Sequence, residues 1–492
     1  MNSVPQQRLL LAVVAVGAFM ANLDACIVNV SLPSIAQEYD VSPSAVSLVV
    51  LSYLLCEVSF LLLFGKLGEI WGISRIFLLG VAVFTVGSLL CGLSPSLVHL
   101  VGWRALQGVG GSMIFAVMLV FPGLYLPAGK RAAAMGVITT AAALGVAAGP
   151  PLGVAAGPPL GGLLTSTLGW HWIFFVNLPI GAAALVAGIA WLPRRQPACA
   201  DGRVDLPGAT LSFLALLFLL LPLNMGREWG WFSATTLATL AVGLGCALAF
   251  VLREWRARHP LLDLRLFAHR NFSLATTAFL VAMATTGGVL FLFPFYLQVQ
   301  RGLTPFVCGA VLMVIAGGQL LGPWAGGLAD RYGSRSVCSA GLMLSALAFA
   351  LFCLLNDLTA IWFIVLALSL FGLSQGLNKA PNINLAMEDV PALSKPLAGS
   401  VISVARSLGL AVGVVAFETV FSEAIPHRVS VENVSVQAAH VDPGLLQHGF
   451  TVAFLLGVAL SLLALYLTLR LRAQGAAETV EQLGGAVHSP SR

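Results

Sequence analysis

The sequence predicts an all-α integral membrane protein whose chain crosses the bilayer fourteen times. Of its 492 residues, 58% are hydrophobic and only 9% are charged, whereas about 25% of the residues in a soluble domain are charged. So few charges cannot cover a water-facing surface, which makes lipid the expected solvent for most of the chain. A span needs about 20 mostly apolar residues. The candidate spans cover roughly residues 8–32, 44–64, 75–94, 97–122, 131–168, 172–192, 206–224, 233–252, 271–297, 304–327, 336–355, 359–386, 397–421 and 449–470.

The distribution of Lys and Arg supports this count and predicts the orientation, because cytoplasmic segments carry an excess of both residues. With the N-terminus placed in the cytoplasm, 19 of the 25 Lys and Arg residues fall in cytoplasmic segments. One missed span would invert every later loop, so both termini are predicted to face the cytoplasm, in a plasma or bacterial inner membrane. The exceptions are Arg227, Arg301 and Arg428 on the outside, and Arg104, Lys379 and Arg406 within spans.

Composition and motifs also exclude several classes of function. The net charge of +5 is spread along the chain, so no nucleic-acid partner is expected. The eight cysteines form no CxxC pair and no Cys/His cluster, which argues against a metal site. The string Gly372–Gly376 fits the GxSxG pattern of hydrolases, but it lies inside a predicted span rather than on a strand-to-helix turn. With no P-loop or zinc-protease string either, neither enzymatic activity nor a cofactor is expected.

Two loops repeat one pattern, Gly-x-Leu-x-acid-x-x-Gly. The first loop runs from Gly65 to Arg75 after the second span, and the second runs from Gly326 to Arg335 after the tenth. Each places an acid near the N-terminus of the following span, where the helix dipole favours negative charge. Parallel repeats around a midplane site are one way of building a transporter. The residues of interest in these loops are Gly65, Glu69, Gly72, Arg75, Gly326, Asp330, Arg331, Gly333 and Arg335.

Three further motifs lie at Leu23–Pro33 on the first span, Arg104–Gly111 on the fourth and Trp170–Pro179 at the start of the sixth. With the two loops and a glycine motif on the fifth span, the chain resembles the fourteen-helix drug:proton antiporter branch of the major facilitator superfamily. The resemblance implies two six-helix bundles separated by two extra helices, with a gating role for the two loops. The implied divisions are residues 1–200 for the N-terminal bundle, 201–265 for the extra helices and linker, 266–475 for the C-terminal bundle and 476–492 for a flexible cytoplasmic tail.

The first loop departs from the family pattern. Glu69 replaces the usual Asp, and Ile70, Ile73 and Ser74 stand where the family prefers basic residues. The implied gating role therefore rests more on the second loop.

The fifth span carries a second departure, a tandem repeat in which residues 145–152 and 153–160 both read GVAAGPPL. An eight-residue insertion would add roughly 12 Å of helix to a bilayer core of about 30 Å. Its prolines also remove backbone donors, so this helix is expected to be overlong, kinked or partly extruded. The resembled antiporter motif of this span comprises Gly153, Gly157, Pro158, Gly161 and Gly162.

Ionisable residues inside spans are functional candidates, because each costs roughly 2.5–3.5 kcal/mol on insertion scales. Asp24 and Arg104 fall at similar depth in the outer half of the membrane, close enough to interact. Alternating exposure of Asp24 to Arg104 or to water would load and release a proton; a static ion pair, or a capping role for Asp24, is the alternative. The candidates for proton coupling or substrate binding are Asp24, Arg104, Glu57, Arg406, Lys379 and Glu418.

The other candidates leave alternatives open. Glu57 could neutralise a lipophilic cation, accept a second proton or pair with a neighbouring helix. Arg406 matches an arginine of the thirteenth helix in the resembled branch, where a structural role between helices is the alternative. Lys379 favours an anionic or neutral substrate, or pairs with Glu57, or extends toward the cytoplasm. Glu418 lies nearer the outer end of its span.

The predicted function is proton-coupled efflux of hydrophobic or amphiphilic compounds by alternating access. The expected partners are a small-molecule substrate, protons and the lipid bilayer, and the protein is expected to be monomeric. One alternative is the transport of a defined metabolite or lipid-like solute. Another is a non-transporting, degenerate paralogue.

Overall fold

The computed structural model describes residues 4–118, 121, 157–193, 205–257, 264–319, 322–388, 390, 395–425 and 443–471. Every regular element within these ranges is helical. In this part of the chain, 12 helices are long and apolar enough to cross a membrane. The other two predicted spans, the fifth and the tenth, are represented by shorter helices beside gaps in the described ranges. The predicted all-α membrane fold is confirmed, and fourteen spans remain compatible with it.

The helices fall into two groups with a pair between them. The N-terminal group comprises α1 (Val4–Tyr39), α2 (Pro43–Trp71), α3 (Ile73–Gly92), α4 (Leu97–Met118), α5 (Gly157–Thr167), α6 (Trp172–Phe175) and α7 (Asn177–Trp191). The inserted pair is α8 (Leu206–Trp229) and α9 (Ala234–Arg256). The C-terminal group comprises α10 (Arg270–Phe295), α11 (Pro305–Gln319), α12 (Gly322–Tyr332), α13 (Ser334–Phe352), α14 (Ile361–Glu388), α15 (Lys395–Glu423) and α16 (Pro443–Leu469). A short 3-10 helix (Leu264–Ala268) precedes α10, and a π-helical turn (Tyr296–Gln300) follows it.

Several helices extend beyond the apolar runs that predicted them. Helix α1 continues through Pro33 to Tyr39, because a proline in a membrane helix is tolerated where its surroundings satisfy the freed backbone groups. Helix α2 continues to Trp71, so Glu69 belongs to its last turn. There the Glu69 carboxylate pairs with Lys66 Nζ at 2.6 Å.

The two repeated loops share one backbone conformation. Gly72 ends α2 with a φ of 100°, and Gly333 lies between α12 and α13 with a φ of 83°. Both values fall in the left-handed region that glycine adopts without strain. The Gly72 amide donates to the Gly68 carbonyl at 3.0 Å, and the Gly333 amide donates to the Ala329 carbonyl at 2.9 Å. The sequence repeat thus corresponds to a structural repeat.

The two groups of helices meet mainly along three pairs of helices. These are α5 with α11, α2 with α15 and α1 with α10, and α1 makes a smaller fourth contact with α11. Helix α8 packs against both α2 and α15, whereas α9 packs on α8. We call the end of the bundle near Tyr39, Pro43 and Leu97 the upper end, and the end near Trp71 the lower end.

The surface of the bundle is suited to lipid. On α9, the exposed fractions of Leu237, Leu244 and Leu248 are 51%, 58% and 61%. Soluble monomers rarely expose extended apolar surface, and a lipid solvent removes the cost of exposing it.

Candidate functional site

The polar centre of the N-terminal group is an ion pair between α1 and α4. Arg104 Nη1 lies 2.6 Å from Asp24 Oδ2, and both side chains are almost completely buried. The Arg104 Nε also donates to the Val49 carbonyl of α2 at 3.1 Å. The guanidinium lies over the Tyr53 ring, with Cζ 4.4 Å from the ring centroid, a cation–π contact that adds to the stabilisation of a buried cation.

Two amide side chains complete the surroundings of Asp24. Gln107 Nε2 and Asn177 Nδ2 donate to Asp24 Oδ1 at 2.9 and 2.8 Å. Gln107 lies three residues after Arg104, so both side chains project from the same face of α4, and Arg104 Nη1 donates to Gln107 Oε1 at 2.6 Å. Gln107 also donates to Ser88 Oγ of α3 at 2.7 Å.

This network suits an ionised carboxylate, because an ionised carboxylate only accepts hydrogen bonds and Asp24 receives three. Three donors leave one of the roughly four lone-pair positions of the carboxylate unoccupied, and a proton that binds there removes the negative charge that holds the donors. Asn177 Oδ1 is buried and has no hydrogen-bond partner among the described residues. An acceptor for a proton arriving at Asp24 is therefore already present beside the carboxylate.

A second ion pair joins the two groups of helices. Arg406 Nη2 of α15 lies 3.0 Å from Glu57 Oε1 of α2. Ser407 Oγ donates to the same oxygen at 2.6 Å, and the Arg406 guanidinium lies over the Phe115 ring. The Glu57 side chain is 4% exposed and the Arg406 side chain 35%. The sequence left open whether Glu57 binds a cation, accepts a proton or pairs with a neighbouring helix. In this structure Glu57 pairs with a neighbouring helix, α15, through Arg406.

Lys379 has a neutral partner. Its Nζ donates to Gln319 Oε1 of α11 at 2.9 Å, so the predicted pairing with Glu57 is not present in this structure. Lys379 lies on α14 and Arg406 on α15, two helices that contact one another, and we call these two cations the positive region. Arg406 lies at the contact of α15 with α2, which we call the seam between the two groups.

Glu418 lies at the upper end, where α2, α8 and α15 meet. Its Oε1 accepts from Ser44 Oγ of α2 and from Ser422 Oγ, both at 2.6 Å. Its Oε2 is buried without a hydrogen-bond partner among the described residues. The side chain is 1% exposed.

The described part of the antiporter motif packs α5 against two neighbours. A Cβ on Gly161 would lie 2.7 Å from Ile27 Cγ2 of α1, and a Cβ on Gly162 would collide with the Pro305 carbonyl oxygen of α11. These two glycines allow α5 to lie close to α1 in its own group and to α11 in the C-terminal group. Gly157 and Pro158 begin α5. Gly153 and the predicted distortion of the fifth span lie outside the described residues.

The loop residues lie away from the two ion pairs. Arg75 and Arg331 are exposed, and Arg335 donates to the Leu469 carbonyl of α16. A Cβ added at Gly65 would meet open space. Gly326 and Asp330 lie on α12. The gating role of these loops stays a prediction.

Sequence reasoning missed the uncharged members of the polar networks. Gln107 and Asn177 lie inside motifs that the sequence presents, but neutral amides do not carry the insertion cost that singles out a charge. The spacing of Gln107 to Arg104 was the available signal, since residues three apart share a helix face. Ser88 and Gln319 carry no comparable signal.

The Major Facilitator Superfamily profile matches residues 14–414. The chain belongs to this superfamily. Ser374, in the GxSxG string, lies within α14, and its hydroxyl donates to the Phe371 carbonyl.

Three relatives show the branch. The riboflavin transporter RibZ of Clostridioides difficile is 30% identical, over 86% of this chain and 90% of the relative. The multidrug resistance protein Stp of Mycobacterium tuberculosis is 32% identical, over 83% and 74%. The tetracenomycin C resistance and export protein of Streptomyces glaucescens is 33% identical, over 82% and 74%. They confirm the resemblance to the drug:proton antiporter branch.

Solved structures share the fold. A peptide transporter POT in complex with sulfate superposes with a TM-score of 0.64 at 14% identity, covering 94% of each chain. A bacterial homologue of the human lysosomal transporter Spinster, in an inward-facing and occupied conformation, gives a TM-score of 0.63 at 16% identity. It covers 95% of this chain and 97% of the other.

Proposed function

We propose that this protein exports hydrophobic or amphiphilic compounds across the cell membrane in exchange for protons. The observation that carries the proposal is the buried pair of Asp24 and Arg104. Ionisable side chains inside membrane spans cost free energy on insertion, and those that occur there commonly mark the path of a proton or a substrate. The named functions of the multidrug and tetracenomycin relatives support export.

In the proposed arrangement, the N-terminal and C-terminal groups are the two six-helix bundles, and the chain acts as a monomer. Both termini face the cytoplasm, as the distribution of Lys and Arg favours. The upper end is then the outer face. In this structure α5 packs against α11, and Gln298 Nε2 donates to the Val30 carbonyl at 2.7 Å. In the proposed arrangement these contacts form the outer gate, which holds the outer ends of the two groups together.

The proposed proton step begins when the outer end opens and water reaches Asp24. Protonation removes the negative charge that holds Arg104 and weakens the hydrogen bonds that the three donors make to the carboxylate. Asn177 is suited to this change, because rotation of its amide presents the unpartnered Oδ1 to the new proton. Arg104 is then held by Val49 and Gln107, so proton binding changes the contacts among α1, α4 and α7.

The proposed substrate region lies between the two groups, at Glu57, Arg406 and Lys379. Glu57 and Arg406 approach one another from opposite sides of the seam. A cationic compound could replace Arg406 beside Glu57, and an anionic compound could bind to Arg406 or Lys379. Glu418 is a further proton-binding candidate at the outer end.

Transport of one defined solute is the second candidate function. It is favoured by the positive region of Lys379 and Arg406, which suits an anionic or neutral compound, and by the named substrate of the riboflavin transporter relative. Riboflavin added to vesicles would then compete with or replace the lipophilic cation as a substrate.

The test is proton-gradient-driven uptake of a fluorescent lipophilic cation into inverted membrane vesicles. Uptake by the wild type should collapse with an uncoupler and in Asp24→Asn. Asp40→Asn is the matched control, because Asp40 is an exposed acid on the same segment, just after α1, and should retain uptake. Uptake that survives in Asp24→Asn would reject Asp24 as the proton site. No uptake by folded wild-type protein would favour the defined-solute or non-transporting alternative.

A further inference from the structure

The upper part of the inserted helix α8 makes hydrogen bonds to both groups of helices. Toward the N-terminal group, Ser47 Oγ donates to Asn224 Oδ1 at 2.6 Å and Asn224 Nδ2 donates to the Ser44 carbonyl at 3.0 Å. Ser42 Oγ adds a bond to Glu228 Oε1 at 2.7 Å. Asn224 is 2% exposed, so its bonds to α2 are shielded from water.

The same segment is bound to the C-terminal group. Thr419 Oγ1 of α15 donates to the Leu223 carbonyl at 3.0 Å, and Arg227 Nη2 donates to the Ile425 carbonyl. Just beyond α8, Trp231 Nε1 donates to Glu423 Oε1 at 2.7 Å. The segment from Leu223 to Trp231, which we call the strap, thus lies across the seam between α2 and α15.

The lower part of α8 packs on α2. Phe213 stacks on Phe60 with ring centroids 5.6 Å apart, and Ala209 is buried against Leu63. Pro222 lies between this part and the strap. A proline inside a helix removes the backbone donor for the carbonyl four residues earlier and kinks or weakens the helix there, which provides a point where the two parts can move differently.

We infer that the strap is a functional part of the outer gate and that Leu223, Arg227 and Trp231 are positioning residues of the transport cycle. The inference rests on alternating access, in which the outer ends of the two groups must separate. The strap cannot keep its bonds to both α2 and α15 when they separate. The bonds of Asn224 to α2 are buried, whereas the bonds of Leu223 and Trp231 to α15 are exposed, so the strap stays with the N-terminal group and leaves α15.

Reversible cross-linking tests whether the strap separates from α15 or from α2 during transport. In a cysteine-free background, Leu223→Cys with Thr419→Cys would link the strap to α15, and Leu63→Cys with Ala209→Cys would link lower α8 to α2. Each pair is treated with a short, membrane-permeant bifunctional thiol reagent, and transport of the lipophilic cation is measured before linking, after linking and after reduction. Transport by the unlinked proteins separates failure of this inference from failure of the proposed function.

The expected result is that the strap link reduces transport to the level of empty vesicles and that reduction restores it, whereas the lower link leaves transport intact. A folding defect would not be reversed by reduction. Transport that survives the strap link would overturn the inference, because the strap would not need to leave α15. Loss of transport with the lower link would also overturn it, because α8 would then have to leave α2.

A single hydrogen bond provides a second test. Thr419→Val removes the donor to Leu223 with little change in shape, and Thr419→Ser keeps it. Val30 is buried, and its carbonyl accepts a hydrogen bond from Gln298 in the other group of helices. The rate at which an impermeant maleimide added outside labels Val30→Cys therefore reports how often the outer ends of the two groups separate. Thr419→Val should label about two- to tenfold faster, the change that one hydrogen bond produces, and Thr419→Ser should label at the original rate. Equal rates for the two variants would overturn the inference.

Discussion

Asp24–Arg104 lies inside the N-terminal group, whereas Glu57–Arg406 joins that group to the C-terminal one. In the first pair both side chains are buried, and Asp24 receives three hydrogen bonds. In the second pair Glu57 is buried but the Arg406 side chain is 35% exposed. Both pairs therefore neutralise charge in the membrane, but only the second must separate when the two groups move apart.

This difference assigns the pairs different tasks. A network contained in one rigid group is insensitive to the movement of the other group, so a local event such as protonation is needed to change it. A pair that crosses the seam responds directly to the movement and to any substrate that enters between its partners. A proton site and a substrate site can thus remain separate in space and still influence one another through α2 and α4.

The largest effect is expected from Arg104→Met, which leaves the Asp24 charge buried without its cationic partner. The free energy of unfolding should fall by about 3–5 kcal/mol, as for other broken buried pairs, measured by thermal unfolding in detergent. Adding Asp24→Asn should recover most of the stability without recovering transport. If Arg104→Met lowered the free energy of unfolding by no more than Arg406→Met does, the proposed difference between the two ion pairs would be wrong.

A smaller effect on stability and a larger one on selectivity are expected from Arg406→Met. The partly exposed Arg406 is replaced in part by water, so the loss should be about 1.5–3 kcal/mol. Glu57 then loses its protein cation, so the KM for a lipophilic cation should fall and the KM for an anionic compound should rise. Arg406→Lys is the control that retains the charge. If the KM values for the cationic and the anionic compound changed in the same direction, the pair of Glu57 and Arg406 would lie outside the substrate region.

The sequence predicted the fold class because an apolar composition and the sorting of Lys and Arg constrain the number of spans directly. It predicted Asp24 and Arg104 because a charge in an apolar span is conspicuous, and a similar depth in the membrane allowed them to meet. It left open which helix would neutralise Glu57, since the order of spans does not state which helices are neighbours. It also ended α1 and α2 too early, because helices continue beyond the apolar run that identifies them.

The neutral residues escaped prediction for a physical reason. Among the described residues, the hydrogen-bond partners of the Gln107 and Asn177 amides lie on α1, α3 and α4, so the importance of these amides depends on contacts between helices. The hydrogen bonds of α8 at Asn224 and Arg227 have the same character. The sequence of a single span does not show which residue on another helix forms a hydrogen bond with such a side chain.

The smallest effects are expected from Ser407→Ala and Ser88→Ala, which remove one hydroxyl from each network. Ser407 Oγ donates to the Glu57 carboxylate at 2.6 Å, and hydrogen bonds to charged groups are the stronger kind. Ser88 Oγ accepts from the neutral amides of Gln107 and Asn177, at 2.7 and 3.4 Å. Because Glu57 keeps Arg406, Ser407→Ala should cost about 1–1.5 kcal/mol, and Ser88→Ala about 0.5–1 kcal/mol.

Transport should separate the two serine variants further. Ser407→Ala alters the pair that crosses the seam, so the KM for the lipophilic cation should change while the proton dependence stays the same. Ser88→Ala acts on Asp24 only through Gln107 and Asn177, so the pH profile of transport should shift while the KM stays the same. Uptake measured across a pH series at several substrate concentrations distinguishes these outcomes. If both variants shifted the pH profile equally, the two ion pairs would behave as one coupled site, and the separation of proton and substrate between them would be wrong.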